Sequence, residues 1–201
     1  MQEVKLVSLP RLISLRSEHI AAQTFWIITF AMFTALGAQI VIPQQPVPFT
    51  LQTFFVLLAG GLLGKRNGFL SMLAYLVMGT SGLPVFSAGL SGFARLVGPT
   101  GGYLLSFPIA AYVVGYLVSL RPQAIRSSKR GTARYLAEYA WGIAAMTVGL
   151  TLTFFFGTVQ LNALYFHNWN SSFNAGFLIF SWWDLVKLTA AAGIWKELSR
   201  S

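Results

Sequence analysis

The sequence predicts an all-α, polytopic membrane protein with six transmembrane helices and both termini in the cytoplasm. Three observations predict it. Of the 201 residues, 55% are apolar and only 9% charged, against about 25% charged in an ordinary soluble domain, so a water-facing surface of normal size cannot be covered. The apolar residues gather in runs near the roughly 17–25 residues that a helix needs to cross the hydrocarbon core. The cations, 14 against 5 acids for a net charge of +9, fall in short clusters between those runs. A nucleic-acid binder would instead spread them over a basic surface with interleaved aromatic contacts. Aromatic content of 15% and a mean hydropathy of +0.64 exclude disorder.

Taken in order, residues 1–22 read as a cytoplasmic N-terminal segment and residues 23–201 as one transmembrane, substrate-binding domain. Leu6, Leu9, Leu12, Ile13 and Leu15 alternate with basic residues, which fits a short amphipathic helix on the inner surface or a poorly ordered tail. No apolar core precedes a small-residue cleavage site, so the segment is not a secretory signal. The first apolar run is Gln23–Ile42, uncharged throughout; the second, Leu51–Leu63, ends at Gly64-Lys65-Arg66. A third covers about Asn67–Met78, a fourth Tyr103–Leu120, a fifth Tyr139–Val159 and a sixth about Phe173–Trp195. Runs two and three are short for a full crossing, which points to tilted helices or loops that dip into the membrane. With the N-terminus inside, Lys5, Arg11, Arg16, Lys65, Arg66, Arg121, Arg126, Lys129, Arg130, Arg134, Lys196 and Arg200 all face the cytoplasm. That is the positive-inside orientation.

Two cations and one acid do not fit the inner clusters. Asp184 and Lys187 lie within the sixth run, three residues apart and so nearly on one helical face. Ionisable groups at membrane depth cost a few kcal/mol on insertion scales and usually face a cavity, a partner or a substrate. The pair either neutralises itself, with Lys187 reaching for the interface, or points into a site. Arg95 sits in the stretch Gly79–Tyr103, where seven glycines and two prolines in twenty-five residues forbid a continuous helix. Leu83, Val85, Phe86, Leu90, Phe93, Leu96 and Val97 make this an ordered loop that packs, and one guanidinium there suits a carboxylate. A second outer loop, Ile42–Gln52, is stiffened by three prolines and brings Phe49, Thr50 and Gln52 to the same side.

The outer half thus collects aromatics (Phe49, Phe86, Tyr103, Trp182), Gln52, Arg95, Asp184 and Lys187, the composition of a pocket for a small amphipathic anion. Metal and hydrolytic chemistry lack material: there is no cysteine, and His19 and His167 are far apart. Gly60-Gly61-Leu62-Leu63-Gly64-Lys65 has the wrong glycine–lysine spacing for a phosphate loop, and no Walker motif is present. The chain is expected not to be an enzyme and to need no cofactor or metal.

The strings Pro46-Val47-Pro48-Phe49-Thr50-Leu51-Gln52-Thr53, Gly82-Leu83-Pro84-Val85-Phe86, Gly98-Pro99-Thr100-Gly101-Gly102-Tyr103 and Asp184-Leu185-Val186-Lys187, in this order among six runs, resemble the BioY family. Its members are biotin-binding S components of energy-coupling factor vitamin transporters. The resemblance implies the six-helix S-component fold and capture of biotin, as transported ligand, at the outer face of the plasma (inner) membrane. It also implies docking on a membrane coupling protein driven by paired cytoplasmic ATPases. Asp184 and Lys187 inherit binding roles from it; Gln52, Phe49, Phe86, Arg95, Thr100 and Tyr103 complete the expected site. Ala31 and Ala35, small residues four apart on the first helix, match the pattern that contacts the coupling protein. Where the family pattern has proline or glycine before the aspartate, this chain has Ser181-Trp182-Trp183. The chemistry of biotin fits: Asp184 with Lys187 or Gln52 suits the ureido group, and either Arg95 or Lys187 the carboxylate.

Overall fold

The first helix, α1 (Ile20–Gln39), sorts its residues by face. Phe30, Ala31, Thr34, Ala35 and Ala38 are buried, whereas Phe25, Ile28, Met32 and Leu36 are exposed as a continuous apolar stripe. Such a stripe would be a liability in water and is ordinary against lipid. This computed structural model describes residues 19–123, 125, 131–178 and 182–199. The amphipathic reading of residues 1–18, and residues 124 and 126–130 of the basic loop, lie outside the described residues.

After α1, two short strands, β1 (Val41–Ile42) and β2 (Phe49–Thr50), pair antiparallel and fold the proline-rich loop into a hairpin. Helix α2 (Gln52–Thr80) follows, and Gly64 interrupts it with φ 79° and ψ 178°. That backbone is open to glycine and strained for any other residue. A Cβ on Gly68 would lie 3.0 Å from the Gly60 Cα, although eight residues of straight helix span about 12 Å. The chain therefore turns back on itself at Gly64. Residues 52–63 and 65–80, which coincide with the second and third apolar runs, pack as antiparallel arms. Gly60 and Gly61 let the first arm approach the helices that follow: Gly60 abuts the Ala111 carbonyl and Gly61 the Trp195 ring.

Of the apolar residues expected to pack the outer loop, Val85 and Phe86 are buried and Leu96 is partly so, whereas Leu83, Leu90, Phe93 and Val97 are exposed. The loop carries a 3-10 turn at Ser87–Gly89 and one helical turn, α3 (Ala94–Val97). Helix α4 (Gly101–Ser119) then packs between α2 and α5 (Thr132–Leu161). Close approach is bought with small residues: a Cβ on Gly115 would meet the Lys65 backbone, and one on Gly149 the Val114 side chain. Helix α5 runs on through a π turn (Asn162–Phe166), and His167 in the left-handed region turns the chain into α6 (Trp169–Gly176). The last helix, α7, is Trp182–Leu198.

Two expectations are corrected here. The sixth run is not one helix: α6 ends at Gly176, whose carbonyl accepts a 2.7 Å hydrogen bond from the Tyr103 hydroxyl, residues 177–178 form a turn, and α7 is described from Trp182. Asp184 consequently falls in a first helical turn, where the unsatisfied N–H groups and the helix dipole favour a carboxylate. Ala31 and Ala35, expected to face a coupling protein, are 0% and 6% exposed and belong to the protein's own core. Their size lets α1 close on the second arm of α2, where the Ser71 hydroxyl donates to the Ile27 carbonyl at 2.8 Å and Thr34 lies against Met72. Among the described residues, three helical segments are long and apolar enough to cross a bilayer: Ile20–Gln39, Gly101–Ser119 and Thr132–Phe166.

Candidate functional site

A cavity of about 590 Å³ lies beneath the two outer loops, within the range of roughly 300–1,000 Å³ usual for small-molecule sites. Phe49, Gln52, Phe86, Arg95, Thr100, Tyr103, Asp184 and Lys187 line it as expected from the sequence, whereas Trp182, the fourth outer aromatic, does not line it and is exposed. The lining residues come from five places in the chain, so only the fold unites them. Phe107, Thr153 and Phe154 join them; no motif in the sequence sets these apart from core.

The charged pair lies in one wall. Lys187 Nζ is 2.6 Å from Asp184 Oδ1, and the aspartate side chain is only 1% exposed. The same ammonium donates to Thr53 Oγ1 at 2.9 Å and to the Thr50 carbonyl at 3.1 Å. An ammonium has three protons, and these three partners engage all of them. The two sequence-level alternatives merge: the pair neutralises itself and also faces the cavity. Lys187 further ties α7 to the end of the proline loop, a role no local pattern announces.

Gln52 is held as firmly. Its Oε1 accepts from the Thr50 hydroxyl at 2.8 Å, and its Nε2 donates to Tyr75 Oη at 2.5 Å. Tyr75 in turn donates to the Val85 carbonyl at 3.1 Å. One buried chain of hydrogen bonds thus links the proline loop, the start of α2, its second arm and the outer loop. Tyr75 escaped the sequence reading because it sits mid-helix in an apolar run. Its ring meets Phe86 edge-on at 5.6 Å and stacks near Phe107 at 6.4 Å, so the polar relay is set in an aromatic wall.

The outer loop is bolted from two more helices. Gln39 Nε2 of α1 donates to the Phe86 carbonyl at 3.2 Å. Gln160 Nε2 of α5 donates to the carbonyls of Leu96 and Gly98 at 2.8 and 2.9 Å. Between those ties stands Arg95, whose guanidinium has no hydrogen bond or ion pair to any protein group among the described residues. The cavity therefore contains a neutralised acid–ammonium pair, a fixed carboxamide, aromatic walls and the Arg95 guanidinium. No group of histidines or acids that could hold a metal is present among the described residues.

Comparison with known proteins gives this cavity a context. A sequence model of the BioY family matches residues 9–201. The biotin transporter BioY of Thermotoga maritima is 40% identical over 177 residues, covering 87% of this chain and 95% of that one. The probable biotin transporter BioY of Pyrococcus horikoshii is 37% identical over 178 residues, 89% of this chain and 96% of its own. Among solved structures, the S-component for biotin from an ECF-type ABC transporter superposes with a TM-score of 0.76 at 24% identity. That match covers 89% of this chain and 91% of the other, and is a likeness of fold. By the extent of the family match and by its relatives, the chain belongs to the BioY family.

Proposed function

We propose that the protein is the substrate-specific component of a biotin uptake transporter, binding the vitamin in the cavity beneath its outer loops. The observation that carries this reading is the set of partners inside that cavity. Asp184 offers a carboxylate to the ureido N–H groups. Phe86, Tyr103, Phe107 and Phe154 offer apolar walls to the fused rings and thioether. Arg95 offers an unspent guanidinium to the valerate carboxylate, which it can grip with two parallel hydrogen bonds. The choice between the two cations follows from hydrogen-bond arithmetic, because the protons of Lys187 are committed within the protein.

In this reading the chain lies in the plasma membrane with Lys65, Arg66, Arg121 and Arg134 on the cytoplasmic side, and the arms of α2 and the pair α6–α7 complete six passages. Lacking a Walker motif, it draws energy for uptake from a membrane coupling protein and paired cytoplasmic ATPases. Titration calorimetry of the purified protein in detergent with biotin, thiamine and riboflavin tests the assignment. Saturable binding of biotin alone is expected. Binding of either other vitamin in preference to biotin would overturn it in favour of a different vitamin.

A further inference from the structure

Gln160 lies outside the cavity, on the last turn of α5, and no motif in the sequence marks it. Its carboxamide nitrogen has two protons, and both are spent on one loop: 2.8 Å to the Leu96 carbonyl and 2.9 Å to that of Gly98. The first carbonyl belongs to α3, the single helical turn that carries Arg95, and the second to the glycine that caps its C-terminal end. A four-residue turn has almost no stability of its own, so its placement depends on what holds its ends. The neighbouring glycines are shaped to the same junction. A Cβ on Gly101 would stand 2.4 Å from Gln160 Nε2, and one on Gly102 would stand 2.9 Å from Gln160 Cβ. The glycines of the Gly98–Tyr103 string thus clear the seat in which this side chain reaches the loop.

Arg95 itself is anchored only through its backbone, since no protein group among the described residues holds its guanidinium. We infer that Gln160 is a positioning residue: by clamping the backbone on the C-terminal side of Arg95, it aims the guanidinium at the ligand carboxylate. This rests on the biotin reading above and adds to it a determinant of selectivity for the acid over its neutral derivatives. Two-proton clamping of a short turn matters because a bidentate guanidinium contact tolerates little misplacement.

Biotin and biotinamide, which differ only in the carboxylate, are titrated into the parent, Arg95→Met, Gln160→Leu and the double variant in detergent. The parent is expected to favour biotin, and Arg95→Met to reduce that preference at least tenfold. Gln160→Leu should reduce it at least fivefold while biotinamide affinity stays close to the parent's. In the double variant the leucine should add no further loss. Equal weakening of both ligands by Gln160→Leu, or no change in their ratio, would overturn the positioning role while leaving Arg95 as the anchor. An unchanged ratio in Arg95→Met would overturn the anchor and the inference with it. If Gln160→Leu does not fold, Gln160→Asn, which keeps the amide one methylene short, is judged by the same ratio.

Discussion

Two buried acids sit at opposite ends of the molecule, and their surroundings differ in kind. Asp184, at the cavity end, shares one ammonium with two threonine oxygens. Glu138, near the start of α5, is ringed by three cations: Arg121 at 3.0 Å, Arg134 at 3.1 Å, and Lys196, which is itself buried. Glu138 is separated from Gln160 by 22 residues of helix, about 33 Å, and lines no part of the cavity. A carboxylate with both oxygens engaged by cations from α5, α7 and the segment just after α4 is a fastening. A carboxylate in the wall of a cavity that Arg95 also lines is, in the proposed function, a contact for the ligand. Position relative to empty space, more than burial or pairing, separates the two.

That comparison can be broken by substitution. The largest effect is expected from Glu138→Gln, which leaves three cations around a neutral group. Removing one partner of a buried ion pair costs about 3–5 kcal/mol, and two half-wet arginines put this case near the lower figure, about 3 kcal/mol. Denaturation in detergent should register that loss, with biotin affinity unchanged. Lost affinity at full stability would invert the assignment of the two acids. Next comes Asp184→Asn, expected to weaken biotin binding at least tenfold, about 1.4 kcal/mol, with a smaller fall in thermal midpoint than Glu138→Gln. Calorimetry giving equal affinities would remove Asp184 from the binding contacts. The smallest effect is expected from Tyr75→Phe. It keeps the stacked ring but deletes the hydroxyl between Gln52 and Val85, a hydrogen-bonded link worth about 1 kcal/mol. A loss of about that size in unfolding free energy is expected from denaturation in detergent; combining it with Gln52→Leu should cost less than the sum, since both cut one relay. Strict additivity would show that the relay does not act as a unit.

How much of this was legible in the sequence varies with the range of the interaction. Helices α4 and α5 fall where their apolar runs place them, because hydropathy is a local property. Asp184, Lys187 and Arg95 stood out because charge is scarce in this chain and its clusters lie elsewhere. Gln52 was visible as a carboxamide at the end of the proline-stiffened loop, within the Pro46–Thr53 string. Tyr75, Gln39 and Gln160 were not, since their hydrogen bonds reach Val85, Phe86 and Leu96–Gly98, each carried by a different element. The inward turn of Ala31 and Ala35 was hidden for a related reason. A small-residue pair announces a close contact, and only the packed bundle says with whom. The break between α6 and α7 was masked by an unbroken apolar run; the Tyr103 bond to Gly176, 73 residues away, helps mark it.

The reversal at Gly64 brings Gly60, Gly68 and Gly115 so near to backbone that nothing larger than hydrogen fits between the strands of that seam. Around the cavity, by contrast, loops are suspended from individual side chains. Such an object has a stiff chassis and an exchangeable head: its guest preference can be re-cut one suspending residue at a time, whereas any residue added to the seam would shift the whole frame.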